Sequence, residues 1–225
     1  MRPDSGRAVD LARESHYDKQ IVTIDADNTQ TSRRRLLAAA KALFARLGFE
    51  NTSTAAISRE AGTSESQLVR YFHTKGGLLE AIFNESWQTL TEGIREVVVG
   101  AADAREALAG VLQQVTEVFG GDPDLAYLLL FEGRRVRSDS PEILLSKGFV
   151  EFENLIRLLI HRGKKDGTFR PELNDEALAS TILGATEGMI RDRLMAQRAG
   201  KESPFSDEDI RTMFFALLSG LGGHA

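Results

Sequence analysis

From Thr31 to Leu221 the large apolar residues return at intervals of three and four, the period that lines up side chains along one side of an α-helix. Val97-Val98-Val99, a β-branched run, closes a helical stripe and shows no alternation. The pattern therefore predicts an all-α fold in which helices bury their stripes against one another. Of the 225 residues, 42% are hydrophobic and none is cysteine, so a sizeable core must be held by packing alone. Thiolate chemistry and a zinc ribbon are excluded for the same reason.

Residues 1–30 keep neither helical nor strand period and read as an arm. The first stripe, Leu36, Leu37, Ala40, Leu43, Phe44 and Leu47, stops at Gly48. Thr52-Ser53 then offers an N-cap to a short segment in which Ile57 and Ala61 share a face, and Gly62 ends it. Thr63-Ser64 caps another short segment, whose Leu68 and Phe72 form an inward i, i+4 pair with Tyr71 beside them. A longer helix is expected from Thr74 to about Val99, carrying Leu78, Leu79, Ile82, Phe83, Trp87, Leu90 and Ile94. Beyond it helices are expected near 103–119, 122–138, 141–166, 174–198 and 206–221, separated by Gly120-Gly121-Asp122-Pro123, Ser140-Pro141, Gly167 with Pro171, and Ser203-Pro204.

Two short helices around a glycine turn, led by a longer helix, are the parts of a helix-turn-helix. A helix enters the major groove when its polar side faces out and its apolar side is held by its neighbours. With Leu68 and Phe72 inward, Ser66, Gln67 and Arg70 point outward, flanked by Glu65, Val69 and Tyr71. Gln can pair with adenine, Arg with guanine, Glu with cytosine N4, and Val with a thymine methyl. The sequence leaves open which of these occurs, and Tyr71 reads equally as a cover for the three-helix core. Ser53, Thr54 and Lys75 stand at or near helix N-termini, where backbone N–H groups attract phosphate. The net charge of −5 is unevenly spread: residues 31–87 carry eight basic and five acidic groups, against sixteen and twenty-two in 88–225. A positive segment on an acidic chain suits contact with a polyanion, although a bias this small also fits ordinary scatter.

Residues 32–87 resemble the DNA-binding domain of the TetR family of transcriptional regulators, through AAAKALFARLGFENTS, ISREAG and LVRYFHTKGGLL. The resemblance implies a helix-turn-helix domain over 31–77 and a helical effector-binding and dimerisation domain over 78–225. It implies phosphate contacts for Thr54, Gln67, Tyr71 and Lys75, and base contacts for Glu65, Ser66, Gln67 and Val69. Ala55 stands where some members place a base-reading Arg, and Glu65 where Lys is frequent, so this chain presents fewer donors. The family's members are homodimers on palindromic DNA that answer to a small effector. The implied reading is a repressor released when effector binding moves the 74–99 helix and changes the separation of the two reading helices.

Small residues in 174–198 (Ala179, Ser180, Gly184, Ala185, Gly188) would let a partner helix approach closely. The stripe Ile210, Met213, Phe214, Leu217, Leu218 and Leu221 would complete a four-helix dimer interface, or alternatively an internal core. For a hydrophobic or amphipathic effector the candidate lining is Trp87, Phe119, Tyr127, Leu130, Phe131, Phe149, Phe152, Ile156 and Met189, with Glu132 or Arg134 as polar anchor. Periodicity cannot separate such a lining from a packed interior.

Catalysis has no footing in the sequence. His16, His73, His161 and His224 lack ligand spacing, Glu151 and Glu153 fall on different helix faces, and there is no Gly-rich phosphate loop or G-x-S-x-G elbow. No cofactor or metal is expected. A helix-turn-helix regulator without small-molecule effector remains the alternative. The first nineteen residues lack the apolar core of a signal peptide and no apolar run is long enough to span a bilayer, so a cytoplasmic location and no membrane contact are expected.

Overall fold

The structure is a computed structural model that describes residues 30–133 and 147–222, and within these all regular structure is helical. The arm over 1–29, Arg134, and the expected helical stretches 134–138 and 141–146 lie outside the described residues. The first helix, α1, occupies 30–47 and ends at Gly48, whose φ of 82° is the left-handed conformation glycine tolerates best. Thr52 closes the turn that follows by donating its hydroxyl to the Gly48 carbonyl at 2.8 Å.

Helices α2 (Thr54–Glu60) and α3 (Glu65–Phe72) are short, and each is started by a side chain that accepts from the backbone. Ser53 caps α2 through the Ala56 N–H. Ser64 caps α3 through the Gln67 N–H, and the Gln67 side chain accepts from the Ser64 N–H in return. Gly62, at φ 60°, makes the turn between them. Leu36, Phe44, Ile57, Leu68 and Leu78 meet in the core of this three-helix unit, all fully buried. Helices α2 and α3 are each too short to stand alone in water, so the apolar core shared with α1 is what keeps them wound.

Helix α4 (Lys75–Gly100) follows α3 after two residues, capped by Thr74. At 26 residues it is a rod about 39 Å long, and it carries the chain from the three-helix unit into the larger body. There α5 (Ala104–Gly121) forms the centre, packed against α4, α7 (Lys147–Lys165), α8 (Asp175–Arg198) and α9 (Asp207–Gly220). Its inner side, Ala107, Leu108, Val111 and Leu112, is completely buried.

The segment expected as one helix over 122–138 is interrupted. Helix α6 is only Pro123–Tyr127, capped by Asp122, and Leu128–Glu132 winds as a π-helical turn closed by the Gly133 N–H donating to the Leu128 carbonyl at 2.8 Å. The wider turn advances its outward face by a residue, a feature without a periodicity signal in five residues.

Candidate nucleic-acid interface and effector cavity

Leu68 and Phe72 are buried as their spacing requires, so α3 shows its other sides to solvent: Glu65, Ser66, Val69 and Arg70 are exposed, and Gln67 and Tyr71 half-buried. Val69 is 52% exposed, an apolar group without a packing role, the kind of contact a thymine methyl makes. The Arg70 guanidinium lies 5.9 Å from the centre of the Tyr71 ring, which braces the long side chain near the helix surface. The Ser64 and Ser66 hydroxyls stand 2.8 Å apart at the N-terminus of α3.

Two residues expected to act separately are joined: the Thr54 hydroxyl donates to the Glu65 carboxylate at 2.7 Å, tying the start of α2 to the start of α3. Lys75 is also more committed than its position suggested. Its ammonium donates to the carbonyls of Phe49 at 2.8 Å and Glu50 at 3.3 Å, and sits 4.4 Å from the centre of the Phe49 ring. Lys75 thus locks the first turn of α4 to the turn that follows α1, leaving one of its three N–H bonds for another acceptor. Gln67 likewise spends its carbonyl on the capping box and keeps its amide N–H groups. Arg35, which no local pattern singles out, places its guanidinium beside the Gly62 turn, 3.6 Å from where a Cβ on Gly62 would lie.

The joint between α3 and α4 is strained and close. His73 adopts φ 63°, and a Cβ on Gly77 would fall 2.2 Å from the Phe72 carbonyl oxygen. Two polar ties fasten the three-helix unit to the body. Lys41 of α1 is ion-paired with Asp122, the N-cap of α6. Arg198, at the end of α8, donates to the Ala45 carbonyl of α1 at 2.9 Å and lies 3.8 Å over the Tyr127 ring. Both link residues remote in sequence, so no local pattern foretold them.

Within the body a largely apolar cavity of about 50 Å³ is lined by Phe83 and Trp87 from α4, Val115 and Phe119 from α5, Leu129 and Leu130 from the π-helical turn and Gly133 after it, Phe149 and Phe152 from α7, and Leu183, Thr186, Glu187 and Ile190 from α8. Trp87 is its centrepiece, 5.7 Å from the Phe149 ring and 5.5 Å from Phe152. The Trp87 indole N–H is buried without a hydrogen-bond partner. Of the expected lining, Trp87, Phe119, Leu130, Phe149 and Phe152 are there. Others are not. Tyr127 and Phe131 pack on each other at 5.1 Å, with Tyr127 beneath Arg198; Ile156 is fully buried in the core; Met189 and the buried Glu132 are also absent from the lining. The π-helical turn accounts for part of this, because it turns Leu129 and Gly133 toward the space instead of Phe131 and Glu132.

The proposed dimer residues divide. Gly184 and Met213 are exposed, and Ala185, Gly188, Leu217 and Leu221 half-buried. Phe214 and Leu218 are a correction: with Ile210 they are buried on the side of α9 that meets α5, and so cannot serve a partner directly. The outer side of α9 instead shows Met213, 55% exposed, and Phe215, 64% exposed. Among the described residues no helix is long and apolar enough to cross a membrane.

Residues 36–82 match the family model for bacterial regulatory proteins of the tetR family. The chain is 24% identical over 199 residues to the HTH-type transcriptional regulator UidR of Escherichia coli (strain K12), spanning 86% of this chain and 98% of that protein. Its fold is similar to that of the transcriptional regulator FadR from Bacillus subtilis in complex with stearoyl-CoA, with a TM-score of 0.74 at 20% identity, over 85% of this chain and 99% of that one. It is also similar to the ketosteroid transcriptional regulator KstR2 of Mycobacterium tuberculosis, with a TM-score of 0.68 at 21% identity, over 85% and 95% of the two chains. Regulators, not enzymes, are what the chain is similar to.

Proposed function

We propose that the chain is a DNA-binding transcriptional regulator of the TetR family, a homodimeric repressor of a palindromic operator, released by a hydrophobic or amphipathic effector. The reading face is the exposed side of α3. Glu65, Ser66, Gln67, Val69 and Arg70 reach base edges, while Ser53, Thr54, Tyr71 and Lys75 position the helix on phosphate. The arrangement of α4 carries the proposal. One rod is locked at its first turn to the three-helix unit by Lys75, and lines the apolar cavity four turns or fewer away with Phe83 and Trp87.

A ligand that pushes on Trp87 has to displace α4 or distort it, and a displaced α4 carries α3 with it. In a dimer the two α3 helices must meet successive major grooves about 34–36 Å apart, or a multiple of that, so a small rotation of each unit costs simultaneous docking. Dimerisation through the outer sides of α8 and α9 is supported by the exposed Gly184, Met213 and Phe215. The cavity is far below the roughly 300–1,000 Å³ of ordinary ligand sites, so effector entry has to widen it. That widening is the work that moves α4.

The test is release from DNA. A labelled operator duplex bound by the full chain is titrated with apolar and amphipathic compounds while Trp87 emission is followed. Release that tracks the emission change supports the reading. Ligands that change Trp87 emission yet leave DNA affinity untouched would separate cavity from reader and refute the coupling.

A further inference from the structure

The apolar cavity has a neighbour across two of its side chains. Phe119 and Ile190 line it, and the same two side chains line a second cleft of about 300 Å³ between the ends of α5 and α8 and the start of α6. The two spaces differ in chemistry. The first is bounded by apolar side chains apart from Thr186 and Glu187 on α8, whereas the second holds Arg193, Lys201, Gln197 and Ser203, and no carboxylate stands among the lining residues of the second. Phe119 and Ile190 are therefore the partition between a greasy chamber and a cationic one.

We infer that the effector is an anionic amphiphile, its apolar tail among the aromatic rings and its anionic head at Arg193 and Lys201. This rests on the effector reading above and names the ligand class for the same cavity. A tail gains by leaving water, and an anionic head gains charge-assisted hydrogen bonds only where cations stand ready at the end of the tail's path. Arg193 is ion-paired with Asp207, but Asp207 is well exposed, so water and salt weaken that pair and a ligand anion can replace it. The Lys201 side chain makes no ion pair among the described residues. A neutral ligand of the same length would leave both cations unused. The head is a carboxylate or a phosphate, as in a fatty acid or its coenzyme A thioester, and the latter is the ligand held by the structurally similar FadR of Bacillus subtilis.

Trp87 is the chain's single tryptophan and lines the apolar chamber, so its emission reports tail entry directly. The full chain is titrated below the micellar range with palmitate, palmitoyl-CoA, hexadecanol and coenzyme A alone. The inference expects at least one of the two anionic amphiphiles to bind about tenfold or more tightly than hexadecanol, and coenzyme A alone to leave Trp87 unchanged. Palmitate and palmitoyl-CoA together distinguish a carboxylate head from a phosphate one. Lys201→Glu, on an exposed loop where folding is not at stake, and Arg193→Gln should each weaken the anionic ligand about tenfold and leave hexadecanol unaffected. Equal affinity for hexadecanol and the anions, or variants that weaken both alike, overturns the inference. Failure of every probe to alter Trp87 emission in protein that still binds DNA is a different result, because it removes the effector reading itself.

Discussion

Substituting the adjacent glycines Gly76 and Gly77 by alanine separates helix propensity from geometry at the joint that aims α3. Both sit in the first turn of α4, where alanine would be favoured over glycine by up to about 1 kcal/mol. At Gly76 the added Cβ meets nothing nearer than the Thr74 hydroxyl at 3.6 Å, so Gly76→Ala should gain about 0.4–1 kcal/mol. At Gly77 it falls 2.2 Å from the Phe72 carbonyl oxygen, where real Cβ atoms essentially never come under 3.0 Å. The carbonyl cannot swing aside freely, because it accepts from the Thr74 N–H at 2.7 Å. A forced shift of packed backbone costs about 1–3 kcal/mol or more, so Gly77→Ala should lose about 2 kcal/mol net of the propensity gain. Urea unfolding at one protomer concentration reads both signs. DNA affinity, measured where both variants are folded, should drop for Gly77→Ala alone, since the clash reorients α3 against α4. A Gly77→Ala protein as stable as the wild type, with normal DNA affinity, would refute the close-approach argument.

Three further outcomes are expected. Arg70→Ala should weaken operator binding and, if its contact is to guanine, relax discrimination at one base pair by about 1–3 kcal/mol, read by gel shift on operators varied at each position; unchanged affinity on every duplex removes Arg70 from the reading face. Arg198→Ala loses the bond to the Ala45 carbonyl and the contact with Tyr127, a loss of about 1–2 kcal/mol in urea unfolding, and no loss would show the tie to be idle. Asp175 is held below the usual aspartate range by its hydrogen bond to Lys164, Asp166 by the Thr168 hydroxyl, and Asp209 by the Ser206 cap. Carboxyls depressed in the folded state stabilise it above their unfolded pKa near 4, and that stabilisation fades as pH falls through the folded values. Thermal melts should therefore hold steady from pH 7 to 5 and drop below about pH 4, less steeply in Lys164→Met; a flat profile to pH 3 contradicts the assignment.

Much of the architecture was legible because its signals are local. Ser53, Ser64 and Thr74 cap the helices they precede, Gly48 and Gly62 take the left-handed conformations their positions implied, and the Leu68–Phe72 pair sets which side of α3 faces out. Helix α8, expected at 174–198 between the breaks at Gly167 with Pro171 and at Ser203-Pro204, is found at Asp175–Arg198. What escaped is tertiary. Phe119 and Ile156 have the same periodic signature, yet one lines the cavity and the other is sealed in the core, because the difference lies in what the opposite helix leaves unfilled. On α9, Met213 and Phe214 are neighbours of similar hydrophobicity, and only the direction of α5 decides that Phe214 turns inward. The ties from Arg198 to Ala45 and from Lys41 to Asp122 span 153 and 81 residues, beyond the reach of any window along the chain. The π-helical turn at Leu128–Glu132 shifts which residues reach the cavity by an amount no helical wheel contains.

The claim on which the rest depends is that the outward side of α3 reads duplex DNA in two symmetric copies. Selection of duplexes from a random library by the full chain tests it most directly. The account predicts enrichment of two inverted half-sites with centres about 10–10.5 base pairs apart or a multiple of that spacing, and loss of one base preference within each half-site for Arg70→Ala. Recovery of no preferred sequence, or of a lone asymmetric site indifferent to Arg70, would contradict it.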